Sequence, residues 1–464
     1  MGGQPTHSPN TVPVTFPYTG ETFAEVCIAS MDDQAHAADC ATLGFAETKI
    51  LPAHRRAEIL RRIADKIEEH REEFVQILIH ESGKPVRQAH LEITRAISVM
   101  RISAEESVRL TGKVIPMDGT EYGEGYTGYY YTVPSGPVLC ITQFNYPLNL
   151  ACHKIGPAIA AGCSFVLKPS TKTPLSALLL ARLVLEAGYP ANAVNVVPCF
   201  GSNSETLVRD PRFTVLSFTG SPAIGWRLKE IFPGRRIGLE LGGNAPAVVH
   251  RDADIAYAAR RIAEGAVVNA GQSCISVQRV YLHDEIYDTC LAMILDHMRS
   301  FVVGDPRLPE TDVGPMISET EAVKTEEKIK QAVMRGARIL VGGVRDGALF
   351  YPTVLERTSS EMGVCSSEMF SPMIIIRQYS SIDEVAKLVN EGSVFTDSLN
   401  ILEKTAMEFE GGTIIVNDYP TFRADSMPYG GIKLSGIGRE GPKYLIDEFM
   451  EKKLIVVHHH HSFA

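Results

Sequence analysis

Val138-Leu139-Cys140-Ile141-Thr142 reads as a short buried strand: an apolar run introduced by Pro137 and closed by the turn-forming Asn145-Tyr146-Pro147. Working outward, a helical pattern covers 148–161, a second apolar strand is Ser164-Phe-Val-Leu-Lys168, and another helix covers 174–187. Strand patterns follow at 193–198 and 214–218, with a helix over 221–231. Strands that are apolar on both faces and alternate with helices predict right-handed βαβ crossovers and a mostly parallel sheet covered on both sides. A second alternating series over 247–379 predicts a further α/β unit, with the boundary at Gly242-Gly243. Upstream, 55–80 and 85–110 carry apolar positions at helical spacing.

Two segments fit neither unit. Residues 122–133, rich in tyrosine, threonine and glycine, suit an exposed β-ribbon, and Lys453-Leu-Ile-Val-Val457 suits a last strand. Left open, four consecutive apolar residues would make a sticky edge, which favours pairing with another subunit over an internal hairpin.

The chain has 464 residues, enough for two or three domains with substantial cores, and its 45% hydrophobic and 22% charged content is that of a soluble globular protein. A net charge of −10 argues against a nucleic-acid or membrane-surface binder. The polar start (1–10) lacks a secretory apolar stretch and no run reaches membrane-span length, so a cytoplasmic location is expected. Nine scattered cysteines without a Cys-x-x-Cys pair fit reduced thiols, with no metal site expected. His458 to His461 read as a solvated tail or a tag remnant.

The chemistry centres on Asn269-Ala-Gly-Gln-Ser-Cys-Ile-Ser276, a glycine-containing turn between a helical pattern (255–268) and a β-branched strand pattern (275–282). A thiolate is a strong nucleophile near neutral pH, although a lone cysteine is more often a small buried hydrophobe. Elsewhere, Glu240 stands in an apolar strand between Leu239 and Leu241, where an unpaired carboxylate is costly and burial raises its pKa toward that of a general base. Asn145, before Pro147, reads either as a helix cap or as an amide donor to a developing oxyanion. Phe218-Thr219-Gly220-Ser221-Pro-Ala-Ile-Gly225 is a strand-to-helix turn whose free amides can face a pyrophosphate, a weak signal by itself.

Taken in order, Gln143-Phe-Asn-Tyr-Pro147, Leu239-Glu-Leu-Gly-Gly-Asn244, the Cys274 turn, Glu368-Met-Phe-Ser-Pro372 and Pro428-Tyr-Gly-Gly-Ile-Lys-Leu-Ser-Gly-Ile-Gly-Arg-Glu440 resemble the aldehyde dehydrogenase superfamily from about residue 39 to the C-terminal strand. The resemblance implies an α/β, aldehyde dehydrogenase-like fold: two Rossmann-like parallel-sheet domains plus a small β oligomerisation ribbon. The cofactor-binding domain would take 1–115 and 134–241 with 434–446, the catalytic domain 242–433, and the ribbon 116–133 and 447–464. It also implies oxidation of a small-molecule aldehyde to an acid with NAD or NADP, in a homodimer or homotetramer.

In that setting Cys274 is the nucleophile, Asn145 and the Cys274 amide hold the oxyanion, and Glu240 activates the hydrolytic water. Cofactor contacts fall on Thr142, Phe144, Lys168, Ser170, Thr171, Gly201, Phe218, Thr219, Gly220, Ser221, Gly225, Leu241, Glu368 and Phe370. Thr171 stands where NAD-preferring relatives have glutamate, which leaves room for a 2′-phosphate beside Lys168. Lys154 and Glu440 match residues proposed to relay protons and read equally as an ion pair.

Glu92-Ile-Thr-Arg95, Ala104-Glu-Glu106, Phe144-Asn-Tyr146 and Phe422-Arg-Ala-Asp425 resemble the group handling lactaldehyde, glyceraldehyde 3-phosphate and phosphonoaldehydes. Arg95, His153, Tyr146, Ser273, Ile275 and Arg423 are the candidate substrate contacts, with Arg95 and His153 read equally as ion-paired side chains. Ser273 replaces the arginine that phosphate-using relatives carry before the nucleophile. A short anionic or hydroxylated aldehyde is therefore expected. A coenzyme A-acylating enzyme, a cysteine hydrolase and a catalytically silent structural member are the competing readings.

Overall fold

A computed structural model describes residues 1–6, 8–389 and 392–459. Among these, the alternating pattern that starts at Val138 folds into a six-stranded sheet in the order Gly436–Ile437, Arg236–Leu241, Val215–Gly220, Val138–Ile141, Phe165–Lys168, Val194–Val196. All neighbours are parallel except the short edge strand Gly436–Ile437. The two-residue period of a strand explains why these sequences are apolar throughout. Val138, Cys140, Phe165 and Leu167 point into one core, shared with helices Ala53–Glu69, Val86–Ser107, Pro147–Ala161 and Leu175–Glu186. Leu139, Ile141 and Val166 point into the opposite core, against Met31–Thr48 and Pro222–Ile231.

Between Leu241 and Pro246 the chain crosses to a second, seven-stranded sheet. Its order is Arg338–Val341, Thr353–Glu356, Met373–Tyr379, Arg279–His283, Pro246–Val249, Gly392–Phe395, Ile414–Val416, parallel but for the first pair. Gly242 sits in the crossing: a Cβ there would lie 2.1 Å from Glu368 Oε2. No described helix is long and apolar enough to cross a membrane.

The tyrosine-rich segment forms the middle of a three-stranded ribbon. Tyr126–Pro134 pairs antiparallel with Met450–His458 on one side and with Lys113–Ile115 on the other. The boundary drawn at 115 therefore falls too late: Lys113–Ile115 belongs to the ribbon, because its backbone continues that ladder. The C-terminal strand also runs further than 453–457. His458 lies in the ladder with its ring stacked on Tyr126 at 4.4 Å, and His459 Nε2 lies 2.9 Å from Thr127 Oγ1, so these two are not a free tail. His460 and His461 lie outside the described residues.

Two helices depart from the sequence pattern. Met31–Thr48 lies outside the helical patterns of the sequence, although Ser30 and Asp33 form a capping box at its start, the Ser30 hydroxyl accepting from the Asp33 amide at 3.1 Å. The run 55–80 breaks at His70, where φ −101° and ψ 20° end Ala53–Glu69 and Arg71–Ser82 begins. The strand expected over 275–282 starts only at Arg279, because the chain first completes the cysteine loop.

Candidate active site

Helix Ile255–Val267 runs into a tight turn in which Asn269 and Ala270 both adopt left-handed backbone (φ 54° each). Such conformations are costly for non-glycine residues and persist where the surroundings over-determine them. The surroundings here are hydrogen bonds: Asn269 Nδ2 donates to Asn145 O at 2.9 Å, its amide donates to Gln88 Oε1 at 2.8 Å, and Gln272 Nε2 donates to Asn269 O at 3.1 Å. Gly271 follows with φ +69°, and a Cβ there would lie 2.1 Å from Ser371 O, so the turn accepts only glycine. This frame presents Cys274 where two small cavities meet, both lined by Glu240, Cys274, Ile275 and Tyr429.

Asn145 is held from three directions. Its carbonyl accepts from Lys84 Nζ at 2.9 Å and from Asn269, and its side-chain amide donates to Gln272 O at 3.0 Å. One of the two amide hydrogens remains for the cavity that Asn145 lines. The capping role is not taken by Asn145: Tyr146 occupies the cap position, and the free amides of Leu148 and Asn149 go to Glu92 Oε1 at 3.0 and 3.1 Å. Glu92 is itself buried and paired with Lys84, whose ammonium lies 3.9 Å from the Tyr146 ring centroid. Neither the Lys84 contact nor the capping role of Glu92 was foreseen.

The cavity on the Asn145 side, about 50 Å³, is also lined by Arg95, Tyr146, Asn149, Thr219, Ser273, Arg423 and Glu440. Around it, Asn145 Oδ1, Asn149 Oδ1, Thr219 Oγ1 and Arg423 Nε are buried without a partner among the described residues. Buried polar atoms are rarely left so, and four lining one cavity mark a place for a polar ligand. Behind the wall lies a charge network. Arg95 Nη2 donates to Asp425 Oδ1 at 2.8 Å, and His153 bridges Asp425 (3.0 Å) and Arg423 (3.4 Å). Arg423 then meets Glu440 at 3.2 Å, and Lys154 donates to Glu440 at 2.7 Å and to Ser217 Oγ at 2.9 Å.

His153 does not line the cavity. It is fully buried on a helix packed on every side, and both ring nitrogens are spent inside the network. Burial, with Arg423 close by, pushes it down to about 4, so it is neutral at physiological pH. Burial opposes ionisation of Asp425 and Glu440, but His153 and Arg95 for the first, and Lys154 and Arg423 for the second, outweigh it and hold each at about 2. Glu240 goes the other way: burial, reinforced by the Glu440 charge, raises it well above the ordinary carboxylate range. Two nearby carboxylates pushed apart in this way suit different roles. Burial also pushes the Cys274 thiol up to about 12, against the pull of the Tyr429 hydroxyl 2.9 Å from its sulfur.

The expected cofactor residues fall on the carboxyl edge of the six-stranded sheet, where open α/β sheets place nucleotides. Thr142, Lys168, Phe218, Thr219, Gly220 and Leu241 end or follow strands there, and Ser170, Thr171, Gly201, Ser221 and Gly225 occupy the succeeding turns and helix starts. Thr171 and Lys172 share a cavity of about 220 Å³. From the other sheet's side, Phe370 packs edge-on to Phe144 at 5.8 Å. Glu368 brings a buried carboxylate raised to about 7 by desolvation, with Oε1 unpartnered among the described residues. An orphaned carboxylate oxygen beside an aromatic pair fits a ribose hydroxyl.

Residues 4–455 match the family model described as Aldehyde dehydrogenase family. The 3-sulfolactaldehyde dehydrogenase of Priestia aryabhattai is 42% identical over 95% of this chain and 93% of its own length. The aldehyde dehydrogenase 21 structure from Physcomitrella patens, in complex with the reaction product succinate, superposes with a TM-score of 0.96 at 36% identity, covering 99% of this chain and 97% of that one. The glyceraldehyde-3-phosphate dehydrogenase of Methanocaldococcus jannaschii complexed with NADP gives 0.93 at 34% identity, over 97% of this chain and 100% of that one. With its two parallel sheets, the cysteine turn between them and these likenesses, this chain belongs to the aldehyde dehydrogenase family.

Proposed function

We propose that this enzyme oxidises a short anionic or hydroxylated aldehyde to its carboxylic acid, with NAD or NADP as oxidant and a thioester on Cys274 as intermediate. One observation carries the reading: a cysteine, a buried carboxylate with raised pKa and four orphaned polar atoms surround the same small space. Cys274 Sγ bonds to the carbonyl carbon, and the remaining Asn145 amide hydrogen meets the oxygen as it becomes negative. NAD or NADP, when bound, accepts the aldehyde hydrogen as hydride. Glu368 would hold the nicotinamide ribose, Lys168 and Ser170 the adenosine ribose, and Ser221 the phosphates. Glu240 then takes a proton from the water that cleaves the thioester. Keeping Glu240 favours water over coenzyme A as acceptor, and keeping all three groups favours an enzyme over a silent structural member. Following nicotinamide reduction with a panel of aldehydes tests the reading.

The charge balance supports an anionic substrate. Arg95, Arg423 and Lys154 bring three cations to the network, whereas Asp425 and Glu440 are the carboxylates held ionised, with His153 neutral. Arg423 Nε is an unspent donor at the cavity, and Asn149 Oδ1 is an unspent acceptor for a hydroxyl. A 50 Å³ space also favours a short chain. The sulfolactaldehyde, succinate and glyceraldehyde-3-phosphate of the similar proteins are all anions.

Truncating Arg95 or Arg423 to alanine should raise KM for an anionic aldehyde about tenfold or more, roughly 1.4 kcal/mol, and far less for propanal. The double variant should be non-additive, because Asp425 and His153 link the two guanidiniums. Equal losses for both aldehyde classes would make the arginines purely structural and return neutral lactaldehyde to first place.

Thr171 brings no carboxylate to repel a 2′-phosphate, so NADP should be used within about tenfold of NAD, roughly 1.4 kcal/mol or less. Thr171→Glu should shift preference strongly to NAD. A parent enzyme that already excludes NADP would contradict this. The Met450–His458 edge, with Leu454, Val456 and Val457 exposed, suits pairing with a further copy in a dimer or tetramer.

A further inference from the structure

Tyr429 has no role in the mechanism above, yet its hydroxyl lies 2.9 Å from Cys274 Sγ, within hydrogen-bond reach of the sulfur. Its backbone is tied to Glu440 by a two-way bridge, Tyr429 N donating to Glu440 O at 3.1 Å and Glu440 N to Tyr429 O at 2.6 Å. The Arg423 guanidinium covers its ring at 3.8 Å from the centroid. Glu440 is anchored by Lys154 and Arg423, so the phenol stands on the rigid charge network and reaches the sulfur from there.

We propose that Tyr429 is a catalytic residue acting on the nucleophile itself: its hydroxyl accepts the hydrogen bond of the resting thiol and, by rotating about its C–O bond, donates one to the thiolate. The inference rests on Cys274 as nucleophile. The S–H bond breaks with its electron pair left on sulfur, the proton leaves to water, and the phenol O–H stays intact. Burial raises the phenol's own pKa well above the usual value, so it keeps the proton it donates. Hydrogen bonds to an anion are about twice as strong as neutral ones, so the hydroxyl favours the thiolate over the thiol. In a site where burial opposes the thiolate, that preference sets how much reactive sulfur exists at a given pH.

Tyr429→Phe keeps the ring against Arg423 and the backbone bridge, and removes only the donor. Alkylation of the full-length protein by iodoacetamide should be followed across pH, with label at Cys274 measured by mass spectrometry. Losing the hydroxyl raises the thiol pKa, so the alkylation midpoint should move up by about one pH unit and the rate at neutral pH should fall about tenfold. The value of kcat/KM should fall at least as far, with NADP affinity unchanged. A profile superimposable on the parent's would overturn the proposal. Should Tyr429→Phe fail to fold, Tyr429→Leu, which also removes the hydroxyl, should move the midpoint up in the same way; no movement or a downward one would overturn it. Alkylation reads the sulfur directly, so this outcome is separable from a failure of Cys274 as nucleophile, which would show as surviving turnover in Cys274→Ala.

Discussion

Replacing Cys274 by alanine is expected to lower aldehyde-dependent cofactor reduction about a thousandfold or more, roughly 4 kcal/mol of transition-state stabilisation. The fold should hardly notice. The turn is fixed by Asn269, Gln272 and Gly271, and among the described residues Sγ contributes no hydrogen bond to it beyond the contact with Tyr429. Thermal unfolding and NADP binding should therefore stay close to the parent's, which distinguishes lost chemistry from lost structure. None of the other eight cysteines lines either cavity beside Glu240: Cys140, Cys152 and Cys163 are sealed in the first core, Cys290 in the second and Cys199 in the opposite core of the first sheet, and Cys27, Cys40 and Cys365 lie elsewhere. Substantial turnover in the variant would require a different mechanism.

Glu240→Gln should separate the two halves of the reaction. The carboxamide keeps the shape but cannot take a proton, so the first turnover should still give a burst of reduced cofactor while steady turnover falls about a hundredfold or more. The same group sets an expected pH dependence. Burial and Glu440 raise the Glu240 pKa, so its basic form appears at a higher pH than for an ordinary carboxylate. Hydrolysis-limited turnover should rise as pH increases through that pKa, and the Gln variant should lose this rise. A flat parent profile, or an unchanged steady rate in Glu240→Gln, would assign the base elsewhere.

Much of the architecture was legible because it rests on local periodicity. Val138 to Ile141 feeds two cores from alternate residues, which requires an apolar run, and such runs alternating with helices leave few topologies. Glu240 stood out because a carboxylate is costly in an apolar strand, and Cys274 and Asn145 stood out through the motifs that accompany them. The partners that fix them did not. Tyr429 meets Cys274 across 155 positions and Arg95 meets Asp425 across 330, contacts that no local pattern carries. Lys84 lies in the short link between two helices and Glu92 on the second of them, and only the packed structure turns them toward Asn145 and the start of its helix. His153 looked available on its helix, but that helix has no exposed face. The helix over 31–48 was hidden by weak amphipathicity, although its Ser30–Asp33 cap was there to be read.

The claim on which the rest depends is that the substrate carbon becomes bonded to Cys274. Glu240→Gln provides the direct measurement: mix it with NADP and an anionic aldehyde, quench in acid within the burst, and weigh the peptide containing Cys274. An acyl adduct on that cysteine, equal in amount to the cofactor reduced in the burst, is the expected result. A full burst of reduced cofactor with Cys274 unmodified would contradict the account.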